Sequence, residues 1–213
     1  MQKEITERTA LLNEDGTLAV AGWARRNLFE YDRKLVGPRG RLKEWDFYQI
    51  SNGTLMVQIN FFNITIASAA TASLIDMRNG RKLACVSLSL GTRNRYLLPE
   101  VSDTPNYFRY DKNGVYLEFD TCEEKRKLLF GGIAQGKKFR MRFDMYYGKD
   151  DENITIVTPF AGKPDRFFLT TKQNCMPCEG KVVWGKKEFV FDRTDTFAVL
   201  DWGRGVWPHK NVW

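Results

Sequence analysis

Histidine is nearly missing from this chain. His209 is the only one in 213 residues, which excludes a multi-histidine metal centre. Any Ser/His/Asp or Cys/His hydrolase would have to be built on that residue, and no Gly-x-Ser-x-Gly elbow is present to supply the nucleophile. Long apolar runs are missing as well. The longest mostly apolar stretch, Leu55 to Ile75, is interrupted by Gln58, Asn60, Asn63 and several Ser/Thr, a poor membrane span. The start, MQKEITERTALL, is charged and has no apolar core of a secretory leader. These absences predict a cytoplasmic protein without a transmembrane segment, in which the sequons at Asn52, Asn63 and Asn153 carry no glycan.

What is present suits a globular chain with one sizeable core. Apolar residues make up 43% and charged residues 28% of the sequence, ordinary values that exclude disorder. The aromatic content of 14%, mostly Phe, favours a strand-rich core. The net charge is +7, which would suit an anionic partner. The basic residues are dispersed, however: Arg25-Arg26, Arg39 to Lys43, Lys125 to Lys127, Lys137-Lys138 and Lys186-Lys187 each lie near a candidate turn. Solvated turns account for them, and no nucleic-acid motif accompanies them, so no specific nucleic-acid partner is expected.

Three Asn-Gly pairs punctuate the chain, at 52–53, 79–80 and 113–114. Both residue types tolerate positive φ, which a type I′ hairpin turn needs at its two central positions. Each pair lies between strand-like runs. Further on, KKFRMRFDMYY puts Phe139, Met141, Phe143 and Met145 on one face and Arg140, Arg142 and Asp144 on the other, a period of two. KVVWGKKEFVFD reads as another hairpin, and FFLTTK and TFAVLD as two further strands. About ten strands and no long helix predict an all-β antiparallel meander, rolled into a barrel or a strongly curved sheet. The small residues of ASAATAS, 67–73, mark tight packing against a neighbouring layer. Residues 1–40 are less patterned and read as an N-terminal arm or lid, with residues 41–213 as the barrel-like domain.

Two motifs suggest chemistry and fail on context. GGIAQGKK, 131–138, has the glycine spacing of a phosphate loop but Lys138 in place of the Mg²⁺-binding hydroxyl, and a strand where a helix should follow. A glycine-containing β-turn is the better reading. Cys175-Met176-Pro177-Cys178 has the spacing of a redox centre or half a zinc site. Its flanks are strands, and Cys85, Cys122 and His209 are too scattered to complete a metal site. A turn with two reduced thiols is expected, with no metal and no cofactor.

The chain closes on DWGRGVWPHKNVW, 201–213. Trp202, Trp207 and Trp213 would each bury on the order of 200 Å² and together expose a patch of roughly 600 Å², too large to leave in water. Asp201 and Arg204 among them form a potential carboxylate–guanidinium pair. The stretch reads first as a structural corner and second as a pocket wall. Its extended form, LDWGRGVWPHKNVW, resembles the signature of a bacterial family, domain of unknown function 2804. Residues 11–33, RLKEWDFYQI at 41–50 and FFLTTKQNCMPCEGKVVWG at 167–185 agree with it. The family is distantly similar to lipocalin-like carotenoid hydratases and tocopherol cyclases, which hold long apolar molecules in β-barrels. The resemblance implies a lipocalin-like barrel incomplete at its C-terminus, a truncated chain whose exposed end is a candidate for self-association. It implies signature positions at Asp201, Trp202, Arg204, Gly205, Trp207, Pro208 and Trp213, with Trp45 and Lys172 from the earlier stretches. The functional expectation is an apolar or amphipathic small molecule held near Trp45, Lys172, Trp202, Arg204 and Trp207. One alternative is a cofactor-independent hydratase or cyclase in which a desolvated Asp201 is the general acid; a remoter one is a binder of nucleic acid or an anionic surface that exploits the +7 charge.

Overall fold

The structure, a computed structural model, describes residues 3–148 and 150–209. Among these residues fifteen strands occur: β1 (Thr9–Ala10), β2 (Gly22–Ala24), β3 (Phe29–Glu30), β4 (Leu42–Ser51), β5 (Leu55–Asn63), β6 (Ala67–Asp76), β7 (Arg81–Leu90), β8 (Asn106–Lys112), β9 (Val115–Thr121), β10 (Lys125–Ala134), β11 (Lys137–Tyr146), β12 (Ile154–Phe160), β13 (Lys163–Trp184), β14 (Lys187–Phe191) and β15 (Phe197–Val206). Two 3₁₀ turns, Arg33–Leu35 and Arg39–Arg41, are the sole helical pieces among the described residues. No helix there is long and apolar enough to cross a membrane.

Ten strands run β7-β6-β5-β4-β15-β13-β11-β10-β9-β8 in one antiparallel path. The path curls until its two ends, β7 and β8, face each other across an unsealed seam. Side chains bridge that seam: the Tyr110 hydroxyl lies 2.9 Å from Ser87 Oγ and 3.0 Å from Ser89 Oγ, and Ser87 Oγ donates to the Lys112 carbonyl at 3.3 Å. The all-β antiparallel barrel expected from the alternating pattern is the fold observed.

Alternation explains the interior. Phe139, Met141, Phe143 and Met145 of β11 are all buried, as their period of two predicts. Phe61 packs against Phe108 and Tyr110 with ring centroids 4.6 and 5.2 Å apart, and Tyr48 meets Phe119 at 5.0 Å. Each such ring contributes about 1.5–3 kcal/mol by leaving water, and together they fill the middle of the barrel. Ala69 stands in the ladder between Phe62 of β5 and Leu88 of β7 and is buried.

The Asn-Gly pairs are turns, but only Asn113-Gly114 has φ positive at both positions (56° and 71°) and joins its strands in two residues, as a type I′ turn requires. The pairs at 52–53 and 79–80 sit in longer loops with positive φ at the glycine alone. Gln135-Gly136, within the glycine-rich 131–138 motif, is a second two-residue turn with both φ positive (46° and 74°), which confirms a turn there. The Cys-x-x-Cys stretch is no turn. It is a bulge within β13, where the register shifts between Gln173 and Met176 and Cys175 has φ 58°. Cys175 is exposed and Cys178 buried, both as free thiols. The bulge lets one 22-residue strand serve two neighbourhoods. Its first half lies between β12 and β15, its second between β11 and β14. Residues 3–41 carry short strands, with β1 on β3 and β2 on β12, and bury Leu11, Leu12, Phe29, Tyr31 and Val36 in the common core.

Candidate functional site

The signature strand β15 lies between β4 and β13, and its alternation divides the expected site residues between two faces. Leu200, Trp202, Arg204 and Val206 point inward and are buried. Asp201, Lys172 and Trp45 occupy the outward positions and are half-buried. Lys172 and Arg204 therefore do not meet at one site. Trp213 lies outside the described residues.

Inward, Arg204 is completely enclosed. Its Nη1 donates to Asp46 Oδ1 and to the carbonyls of Trp45 and Gly203, each at 2.8 Å. Nε and Nη2 both donate to the Pro99 carbonyl, at 3.1 and 2.7 Å. The guanidinium carbon lies 4.2 Å from the Trp202 ring centre. Burial pushes the Asp46 carboxyl up from its ordinary range, and the Arg204 charge opposes that shift. Thus Arg204 pairs with Asp46, and not with the nearer Asp201 of its own signature.

Two more arginines repeat the device. Arg33 donates to Glu44, itself fully buried, at 2.7 Å, and to the carbonyl of Leu98. Arg126 donates to the Ser102 carbonyl at 2.5 Å, to Thr121 Oγ1 at 3.1 Å and to Gln173 Oε1 at 3.2 Å. Leu98, Pro99 and Ser102 belong to the connection from β7 to β8, so three arginines strap that connection across one end of the barrel. Glu44, Asp46, Arg33 and Arg126 were not among the expected site residues. A signal for two of them was present in RLKEWDFYQI, where Glu44 and Asp46 share the inward parity of Leu42, Tyr48 and Ile50.

Outward, Trp207 lies in an aromatic cluster. Trp45, Phe168 and Trp207 form a triangle with centroids 5.3–5.6 Å apart, and Phe160 and Lys43 flank Trp207. Trp202 and Trp207 keep only 1% and 2% of their surface. Gly203 makes the triangle possible, because a Cβ there would fall 2.3 Å from the Trp45 ring. Asp201 accepts a hydrogen bond from Trp45 Nε1 at 2.9 Å and pairs with Lys172. Its side chain retains 34% of its exposure.

The opposite end of the barrel is open. A cleft of about 580 Å³ lies there between hairpin tips. Leu55, Leu74, Leu83, Trp184 and Phe189 form its apolar floor, and Arg78, Arg81, Lys82, Lys187, Gln135 and Asp76 stand around it. Its volume falls within the ~300–1,000 Å³ of small-molecule sites. Trp184 is fixed by donating Nε1 to the Ala134 carbonyl at 2.9 Å. Lys137 and Lys187 lie 4.5 and 5.8 Å from its ring centre. The glycine-rich motif thus delivers Gln135 and Lys137 to this mouth, though not as a phosphate loop. No group of His, Cys, Asp and Glu side chains suited to a metal ion occurs among the described residues.

No curated protein matches the chain. Among solved structures, a protein of Nitrosomonas europaea described as an AttH is similar at 13% identity and a TM-score of 0.46, over 85% of this chain and 57% of the other. Kievitone hydratase of Nectria haematococca is similar at 11% identity and a TM-score of 0.41, over 76% of this chain and 47% of the other. The chain therefore spans about half the length of the solved structures it matches. The family model described as "Domain of unknown function (DUF2804)" matches residues 2–213, essentially end to end. The chain belongs to the DUF2804 family.

Proposed function

We propose that this protein is a lipocalin-like carrier that holds an apolar or amphipathic small molecule in the open mouth of its barrel. One observation carries the reading: the mouth keeps a cleft of about 580 Å³ over an apolar floor of Leu55, Leu74, Leu83, Trp184 and Phe189. An unfilled apolar concavity with a few polar groups at its edge is the usual form of a small-molecule site. The signature residues take the part of a frame. Arg204 has its donors engaged by Asp46 and by backbone carbonyls, and Asp201 is tied to Lys172 and Trp45.

Native mass spectrometry of the purified chain tests the reading, together with titration of its tryptophan fluorescence by dodecanol. The expected result is a one-to-one complex that Leu83→Glu abolishes and Asp201→Asn leaves intact. An unaffected Leu83→Glu variant, or loss of binding in Asp201→Asn with the fold preserved, would move the ligand to the signature end.

A further inference from the structure

The charges around the mouth are unbalanced. Arg78, Arg81, Lys82 and Lys187 line the cleft, and Asp76 is the one acid lining it among the described residues. Arg78 already takes Asp76 through two hydrogen bonds, Nε to Oδ1 at 3.0 Å and Nη2 to Oδ2 at 2.9 Å. The Arg78 side chain, aided by the turn backbone and Asn79, draws the Asp76 carboxyl down to about 2. Arg81, Lys82 and Lys187 are left with no acidic partner among the described residues. Lys137 adds a further cation against the Trp184 ring.

These cations come from three separate hairpin tips. Arg81 and Lys82 begin β7, Lys137 begins β11 and Lys187 begins β14. Strand pairing sets Lys137 and Lys187 beside Trp184, but it does not bring Arg81 and Lys82 to them, since β7 makes its ladder only with β6. Cations ringing a concavity with low-dielectric walls focus a positive potential at its opening. A neutral apolar ligand would make no use of that potential, and a cationic one would be repelled.

We infer that the mouth selects an amphiphile with an anionic head and a single hydrocarbon chain, a long-chain carboxylate. Its chain lies on Leu55, Leu74, Leu83, Trp184 and Phe189, and its head sits among Arg81, Lys82 and Lys187. The inference rests on reading the mouth as the binding site and adds the chemistry that the site prefers.

The test uses the full chain at low salt, with ligands kept below micelle formation and binding read by intrinsic tryptophan fluorescence and by calorimetry. Dodecanoate, dodecanol and dodecyltrimethylammonium share a chain and differ in head charge. Dodecanoate is expected to bind roughly tenfold more tightly than dodecanol, with the advantage shrinking as salt screens the rim. The cationic amphiphile is expected to bind more weakly than either. Arg81 and Lys82 are exposed, so R81Q/K82Q should fold normally. In it, dodecanoate should fall to the level of dodecanol while dodecanol is unchanged.

Equal binding of dodecanoate and dodecanol by the natural chain overturns the head-group inference and leaves the carrier reading intact. Failure of all three ligands to bind overturns both. Binding to phosphatidylglycerol vesicles that dodecanoate does not compete away also overturns the inference, since it assigns the cations to a lipid surface.

Discussion

At the scale of single residues, the enclosed Arg204–Asp46 pair sets the stakes. Removing one partner of a buried pair strands the other, at a cost of about 3–5 kcal/mol. Arg204→Met should therefore lower the urea midpoint sharply, and Asp46→Asn added to it should restore part of the loss. The pH dependence follows from direction. Burial raises the folded-state value of Asp46 above its unfolded one, so protonation favours the folded chain. That contribution is complete below the ordinary carboxylate range and is lost as pH rises through the raised value. Without Arg204 the raising is stronger, so the deficit of Arg204→Met should be largest near neutrality and narrow on acidification. Unfolding curves across that range check it, and a deficit that is flat with pH would count against an ionised Asp46. Much of this centre was legible in the sequence. DWGRGVW announced something enclosed, and the acids at 44 and 46 broke the apolar parity of their strand. Which acid meets which arginine was not legible, because the partner of Arg204 stands on a strand 158 positions away in sequence.

At the scale of elements, the turns carry their own chemistry. Asp76 ends β6 and accepts from Arg78 and Asn79 within the loop to β7. Its folded value of about 2 lies below the ordinary value of 3.8. A lowered carboxylate stabilises the turn at pH above its unfolded value, and that contribution disappears as pH falls through the folded one. NMR titration of the Asp76 carboxyl carbon should give a midpoint near the lowered value, and Arg78→Gln should bring it back up toward 3.8. Strands with strict alternation, such as β11, were plain from sequence alone. The reading of FFLTTK and KVVWG as separate strands failed because a bulge at Asn174–Cys175 absorbs the break and the strand resumes beyond it. The Asn-Gly pairs marked hairpins correctly, while turn type also depends on loop length, which alternation alone does not set.

At the scale of the molecule, closure depends on hydroxyl groups where backbone pairing stops. Tyr110 is buried between Ser87 and Ser89 at the seam. Tyr110→Phe keeps the ring and removes the bridge, at a cost of about 1 kcal/mol. Hydrogen exchange should quicken in β7 and β8 well before it does in β4 or β15. Equal protection of all four would show that the seam is held by packing alone. A meander could be foretold from period and turns, since both are local. The open mouth could not, because it is made by hairpin tips that meet only when the sheet has curled.

The undivided length of β13 has one further consequence. A single ribbon serves as the common spine of the two halves of the molecule, so neither half owns a complete set of edges. A protease nick at the exposed Cys175 would not release two modules able to stand apart. The severed pieces should either remain clasped together or lose their structure together.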